Sequence, residues 1–341
     1  MIVIIGVAVF LTSVLVTGLV RKYALHRQLL DIPNARSSHT VPTPRGGGVG
    51  IVAAFLLGLP VATHFGLLSM ADAAVLALPG LATAAIGFAD DHAHIPARWR
   101  LLGHFAVAGI GLALLTGLPS VPITDAFSLS GAWLAIPLAV GLVWLLNLYN
   151  FMDGIDGIAG VQAVTVCSGM ALLSYLYGNP ADVVLALLLA AASAGFLCWN
   201  LPPARIFMGD AGSGFLGVAI GLLWLKTATA NPQLFWPGLI LMGVFVVDAT
   251  WTLVVRLMRG EKVYEAHRSH AYQHAARRFG HGKVTAVVAV INLGWLLPVG
   301  WAVAIGGLTP ILGASLAAIP LLLTQWVMKA GSLRQQAKCD S

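Results

Sequence analysis

Two carboxylates and two carboxamides crowd the stretch Asn147-Leu-Tyr-Asn150-Phe-Met-Asp153-Gly-Ile-Asp156-Gly157, with apolar runs on both sides. An ionisable group beside a membrane span marks a functional site by default. On a helix, Asp153 and Asp156 share a face at i, i+3, and Asn147, Asn150 and Asp153 repeat that spacing as one polar ridge. Gly154 and Gly157 break the helix or admit a ligand. A capped polar helix end would explain one Asp but not the whole set.

Four other segments carry chemistry of the same kind. Asp31 to Gly48 is stiffened by Pro33, Pro42 and Pro44 and ends on a Gly triplet that opens an apolar run. Its Arg36, His39 and Arg45, with helix N-terminal amides, suit a phosphate, and equally suit a basic loop on anionic lipid. Asp90-Asp91 repel each other unless a divalent cation or a cationic group neutralises them. His92 and His94 beside them have no assigned role. Arg205-Ile-Phe-Met-Gly-Asp210-Ala-Gly-Ser-Gly places a lone carboxylate in a Gly-rich turn before another apolar run. That suits Mg2+, which takes one or two protein carboxylates and completes its shell with phosphate oxygens and water. Asp210 as a helix N-cap is compatible with this. Glu265-Ala-His267-Arg268-Ser-His270-Ala-Tyr-Gln-His274 aligns three His at i, i+3, i+7, and Arg277 and Arg278 follow. A zinc site is conceivable there, but no HExxH is present and the basic excess favours phosphates. Asp248 lies deeper in an apolar run, where a structural pair with Arg256 or a bound cation is expected. Acids for a metal and bases for phosphates describe phosphoryl transfer, without the GxxxxGK[ST] of a P-loop.

These segments must be positioned by a membrane bundle. The 341 residues are 58% hydrophobic and only 9% charged, with mean hydropathy +0.87. A soluble domain is nearer a quarter charged. Cys167, Cys198 and Cys339 show no disulfide or metal spacing. A span needs about 20 apolar residues. Eleven candidates occur, at 2–20, 47–65, 72–89, 101–117, 132–149, 158–177, 182–199, 213–229, 235–256, 284–304 and 307–328. The expectation is an all-α polytopic bundle, one catalytic domain over 1–329 and a short tail at 330–341. The first run lacks a basic leader and reads as a span, not a cleaved signal. With the N-terminus outside, 18 of the 19 Lys and Arg fall on the inner side, and only Lys226 lies outside. That bias follows the positive-inside rule. It puts 21–46, 90–100, 150–157, 200–212, 257–283 and the tail in the cytoplasm. The outer loops are short, and the longest, 118–131, carries only Asp125.

The ordered motifs resemble the polyprenyl-phosphate N-acetylhexosamine-1-phosphate transferases, the superfamily of MraY, WecA and TagO. The matching residues are Pro42-Thr-Pro-Arg45-Gly-Gly47, Asp90-Asp91, Asn147-x-x-Asn150-x-x-Asp153-Gly-x-Asp156-Gly, Phe207-x-Gly-Asp210-x-Gly-Ser213, Asp248 and the His loop. The version His267-Arg-Ser-His270-Ala-Tyr-Gln, with Pro33-Asn-Ala-Arg-Ser-Ser-His39, looks most like the WbpL-type enzymes that start O-antigen synthesis. It departs from the MraY pattern at the His cluster and at Asp248, against a muramyl-pentapeptide substrate. The resemblance implies transfer of a sugar 1-phosphate from a UDP-N-acetylhexosamine to undecaprenyl phosphate in the bacterial inner membrane, with release of UMP. Mg2+, or Mn2+ in its place, is the implied cofactor, with Asp210 as the metal-binding acid. Asp90, Asp91, Asp153 and Asp156 are the implied catalytic acids. Arg36, His39, Arg45, Asn147, Asn150, His267, Arg268 and His270 are the expected substrate-binding residues. Membrane lipid is a partner, a homodimer is compatible, and nucleic acid is not expected. A CDP-alcohol phosphatidyltransferase is disfavoured because Asp153-Gly is not followed by its Ala-Arg and later acids. A cation-coupled transporter of an anionic substrate is the rival of another class. It would need charges through the membrane depth, and only Asp248 is clearly placed there.

Overall fold

A backbone in hydrocarbon must satisfy its own N–H and C=O groups, and a helix does so within one segment. The apolar runs accordingly fold as helices. The computed structural model describes residues 1–33, 41–93, 95–124, 126–261 and 267–332. In chain order the helices are α1 (Ile2–His26), α2 (Val49–His64), α3 (Met70–Ala93), α4 (Ala97–Leu114), α5 (Ala135–Met152), α6 (Ile158–Leu176) and α7 (Pro180–Asn200). They continue as α8 (Asp210–Ala230), α9 (Phe235–Leu241), α10 (Gly243–Met258), α11 (Ala271–Phe279), α12 (His281–Ile291), α13 (Leu297–Ala304) and α14 (Pro310–Val327). A π-helical turn, Asn292–Leu296, joins α12 to α13.

Each of the eleven predicted runs is helical. Among the described residues, eight helices are long and apolar enough to cross a membrane, and the pair Pro232–Leu241 and Gly243–Met258, bent by 69°, makes up to nine. The remaining two of the eleven, α2 with 16 residues and α4, fall outside that set. The fold is nearly all-helical, as expected, with two short strand pairs in loops. Leu30–Asp31 (β1) pairs antiparallel with Thr43–Pro44 (β2), and Val121–Thr124 (β3) pairs with Phe127–Leu129 (β4). These pairs close loops too short and too Pro-rich for helix.

α8 is the axis of the bundle. Residues Ala211 to Leu225 are buried without interruption, as expected of a helix apolar on every side. α3 and α5 pack on it through glycines. A Cβ on Gly87 would lie 2.5 Å from the Asp210 carbonyl oxygen, and one on Gly217 would lie 2.6 Å from the Leu146 Cα. Small residues let backbones approach where lipid gives no hydrophobic drive for association. One apolar core runs through α1 to α12. A second, smaller one joins α9, α13 and α14.

The two ends of the bundle differ. At one end Lys226 pairs with Asp182 at 2.6 Å and with Asp72 at 2.9 Å, and Asn179 donates to Asp182 at 2.6 Å. The one Lys assigned to the outer side is thereby neutralised inside the fold. The five motif-bearing segments gather at the opposite end.

Candidate active site

Three long-range backbone hydrogen bonds set the frame. Phe207 N–H donates to Pro44 O at 2.8 Å, Gly47 N–H to Phe207 O at 2.9 Å, and Gly48 N–H to Met208 O at 2.9 Å. The Gly triplet is thus zipped to the turn that carries Asp210. The zip depends on missing side chains, because a Cβ on Gly48 would lie 2.4 Å from Gly212 Cα. Gly209 has φ +79°, a left-handed conformation that favours glycine. Its Cα edge faces Asp91, whose Oδ2 would be 3.1 Å from an added Cβ.

Asp210 opens α8, where the helix dipole favours negative charge. Its carboxylate accepts from the Asn150 amide and stands 3.8 Å from Arg100 Nη1. The same guanidinium binds Asp90, which also accepts from Ile95 N–H at 2.8 Å. Arg45 donates to Asp91 O at 2.7 Å and lies 3.8 Å from its carboxylate. The repulsion within Asp90-Asp91 is therefore relieved by cationic groups, the guanidiniums of Arg45 and Arg100, the second of the two alternatives the sequence offers. In the sequence Arg100 stands out only as a topogenic charge. Its position ten residues after Asp90, in a connection that any inter-span hairpin must fold back, was the available signal.

The stretch 147–157 is not one helical face. α5 ends at Met152, so Asp153 is its C-cap and Asp156 lies in the following turn. Asn147 folds back on its own helix, its amide donating to Val143 O at 2.7 Å. Asn150 and Asp153 turn toward Asp210. Burial first, then the negative charges of Asp210 and Asp156, push the Asp153 carboxyl well above the usual range. Asp156 has a different setting. It accepts from Ala204 N–H at 3.0 Å and lies 3.1 Å from His281 Nδ1, while Thr285 donates to its carbonyl at 2.8 Å. It ties α12 and the 200–206 turn to the acid segment.

The three His do not share a helical face, because α11 begins at Ala271. His267 sits in the preceding turn, its Nδ1 3.0 Å from Ser269 Oγ, and stacks on His270 at 4.9 Å. Burial, His270 and Arg256 lower its pKa to about 3. It is therefore neutral at pH 7, and would meet a substrate phosphate by a hydrogen bond and not by charge. Arg268 is half-buried in the same turn, and His274 is buried in α11. His270 pairs with Asp248, and Arg256 pairs with Glu261 at 3.0 Å, so the expected Asp248–Arg256 pairing gives way to these two. Sequence reading missed Tyr272, whose hydroxyl donates to Phe151 O at 2.8 Å. Arg36, His39, His94 and Glu265 lie outside the described residues. β1 and β2 bring both ends of the loop bearing Arg36 and His39 to the zipped turn.

Among the described residues no three His, Cys, Asp or Glu side chains are grouped to hold a metal by themselves. The residues still fit Mg2+. They are hard oxygen donors, and the raised Asp153 reports crowded negative charge that a divalent ion would relieve. Mg2+ bound there would take Asp210 and rely on substrate phosphate oxygens for much of its shell.

Residues 73–228 match Glycosyl transferase family 4. The match runs from α3 to α8 and contains Asp210 and the other four acids of the candidate site, Asp90, Asp91, Asp153 and Asp156. The chain is 28% identical to the "Probable undecaprenyl-phosphate N-acetylglucosaminyl 1-phosphate transferase" of Bacillus subtilis, over 85% of this chain and 81% of that protein. It is 28% identical to the "Decaprenyl-phosphate N-acetylglucosaminephosphotransferase" of Mycolicibacterium smegmatis, over 84% and 78%. A "Phospho-N-acetylmuramoyl-pentapeptide-transferase" of Moorella thermoacetica is 36% identical over 60% of this chain and 66% of its own length.

Proposed function

We propose, on the premise that this chain belongs to glycosyl transferase family 4, that it transfers an N-acetylhexosamine 1-phosphate from a UDP-sugar to undecaprenyl phosphate and releases UMP. The observation that carries the reading is the gathering of the polar segments at one end of an apolar bundle, where the 44–48, 90–100 and 147–157 segments meet the Asp210 turn and the His loop joins the end of α5. A lipid phosphate held in the bilayer and a soluble nucleotide can meet only at such a boundary. The topology we assign puts this end in the cytoplasm, where UDP-sugars are made, and the N-terminus outside.

The acceptor's second phosphate pKa is near ~6, so at neutral pH it is mostly a dianion and needs no base. One of its oxygens attacks the β-phosphorus of the donor. The bond from that phosphorus to the bridging oxygen breaks, and UMP leaves with the electron pair. The product is a lipid-linked sugar diphosphate, with no net proton change. The barrier is the approach of two anions, and electrostatic stabilisation dominates such reactions. Arg45 and Arg268 supply fixed positive charge, and His267 donates a hydrogen bond to phosphate. Arg100 holds Asp90 and restrains Asp210. Asp91 and Asp153 face the same space, and Asp156 ties the turn after Asp153 to α12 and the 200–206 turn. Mg2+ on Asp210 would neutralise phosphate charge.

The WbpL-like His loop and Asp248 favour the first membrane step of O-antigen or related surface-polysaccharide synthesis. Candidate donors carry N-acetylfucosamine, N-acetylquinovosamine, N-acetylglucosamine or N-acetylgalactosamine, and the names of the Bacillus and Mycolicibacterium relatives favour N-acetylglucosamine. The test offers purified protein a panel of UDP-sugars with undecaprenyl phosphate and Mg2+ and measures UMP. We expect release that needs both lipid phosphate and metal, and its loss in Asp210→Asn, which still inserts. No UMP from any donor overturns the reading. Near-normal turnover of Asp210→Asn overturns the metal assignment.

A further inference from the structure

Asp248 lies in α10 at 3% exposure, and its carboxylate is served by four donors. These are His270 Nδ1 at 3.1 Å, Ala271 N–H at 3.1 Å, Tyr272 N–H at 3.0 Å and Thr252 Oγ1 at 3.3 Å. A buried carboxylate without a cation is costly unless hydrogen bonds replace water. Here the replacement comes from the N-terminus of α11, whose orphan amides and dipole both favour an anion. α11 is thereby pinned to the membrane helix that precedes it in the chain.

The pinned end reaches the acids. The His270 ring is stacked between His267 at 4.9 Å and Tyr272 at 5.6 Å. Gln273 turns back to accept from His270 N–H at 3.2 Å. Tyr272 Oη then donates to Phe151 O, in the last turn of α5 and two residues before Asp153. The space for that hydroxyl exists because residue 154 is glycine. A Cβ there would lie 2.2 Å from Tyr272 Oη.

We infer that Asp248 is the positioning residue of the site, setting His270 on one side and, through Tyr272, the end of α5 and Asp153 on the other. With Nδ1–H given to Asp248, Nε2 is the His270 nitrogen that makes no hydrogen bond among the described residues, and the ring has one orientation. Asn at 248 could accept at one oxygen only and would turn an N–H2 toward buried donors. At least one backbone donor of α11 would lose its partner. The consequence for turnover rests on the transfer reaction proposed above. The positional claim does not.

The experiment pairs Asp248→Asn with Tyr272→Phe in lipid nanodiscs. Tyr272→Phe removes one hydroxyl and leaves the helix intact, so it decides the matter even if Asp248→Asn does not fold. Amide hydrogen exchange across 147–157 is the first readout. Both variants should speed exchange at 150–154 by about five- to tenfold, the loss of one hydrogen bond, while α1 and α7 stay protected. Kinetics is the second. Tyr272→Phe should lower kcat about tenfold with donor KM within about twofold, and Asp248→Asn should also raise donor KM about tenfold. Combined, the two should lower kcat no further than Asp248→Asn alone, since both act on one contact. Unchanged exchange at 147–157, or kcat losses that multiply, overturns the inference. A wild-type protein that releases no UMP overturns the transfer reading instead, and the exchange result still decides the role of Asp248.

Discussion

Replacing Gly212 by alanine separates backbone approach from helix propensity. Gly212 sits in the first turn of α8 at ordinary helical φ, so in an open helix the change would stabilise by about 1 kcal/mol. Here the new Cβ meets Gly48 Cα at 2.5 Å and Met208 Cγ at 2.6 Å. Ordinary contact needs about 3.4 Å, so the Gly triplet must retreat by about 1 Å. That stretches Gly47 N–H to Phe207 O and Gly48 N–H to Met208 O, both 2.9 Å. Two hydrogen bonds at about 1 kcal/mol each and overpacking of about 1–3 kcal/mol, less the helix gain, leave a net loss of about 2–4 kcal/mol. Turnover should fall further than stability, because Arg45 moves with the triplet while Asp210 stays. A displacement of about 1 Å typically costs about a hundredfold in rate. Gly141→Ala is the control, since nothing lies within 4 Å of its added Cβ. The assay is thermal unfolding in detergent, with UMP release per folded molecule. If Gly212→Ala and Gly141→Ala behave alike, the zip between the triplet and the Asp210 turn does not organise the site.

Asp153→Asn should stabilise the metal-free protein at neutral pH and still lower UMP release, because the carboxyl faces the space that the phosphates and Mg2+ would share. Its carboxyl is raised in the fold, so the folded state keeps a proton that the unfolded chain loses near pH ~4. The wild type therefore loses stability relative to the Asn variant as pH rises above that point, and unfolding temperatures compared from pH 4 to 8 without divalent ions check the sign. His267 works in the opposite direction. The fold holds it neutral down to about pH 3, while the unfolded chain takes up a proton below about pH 6.5. Stability should fall as pH drops from about 6.5 to about 3, and less steeply in His267→Gln. Lys226→Met leaves Asp182 and Asp72 facing each other without a cation. The expected loss is about 3 kcal/mol, at the lower end for a broken buried pair because Asp72 is partly exposed. UMP release per folded molecule should not change, since the site is at the other end, and adding Asp182→Asn should restore much of the unfolding temperature.

The gathering of the five polar segments at one end was legible because charge distribution and apolar run length are local quantities. Asp210 before a Gly-rich helix start was legible for the same reason. What the sequence could not resolve was which side chain answers which across the bundle. Asp153 and Asp156 look equivalent by spacing, yet the helix stops at Met152 and sends one toward Asp210 and the other toward Ala204 and His281. The His spacing suggested a helix, but Asp248 draws the start of α11 to Ala271 by capping it. Asp90 and Asp91 called for a divalent cation or a cationic group, and which cationic groups answer, two arginines from different elements, is set by the fold. Glycines were the least legible of all. Nothing local to Gly48, Gly87, Gly154 or Gly212 tells that each marks a place where another chain segment allows no side chain.

The zip between the Gly triplet and the Asp210 turn also bears on biosynthesis. Gly47 and Phe207, which share a hydrogen bond, are separated by 160 residues of chain. At about 5–20 residues per second, the triplet waits about 10–30 s after its own synthesis before its partner leaves the ribosome. During that interval α1 to α7 can enter the membrane while Arg45 and the Asp90-Asp91 pair have no acid turn to close upon. A nascent chain released before α8 would therefore be an inserted but siteless bundle. The candidate site is a late product of assembly, and its last polar segment comes into place only when α11 docks on α10.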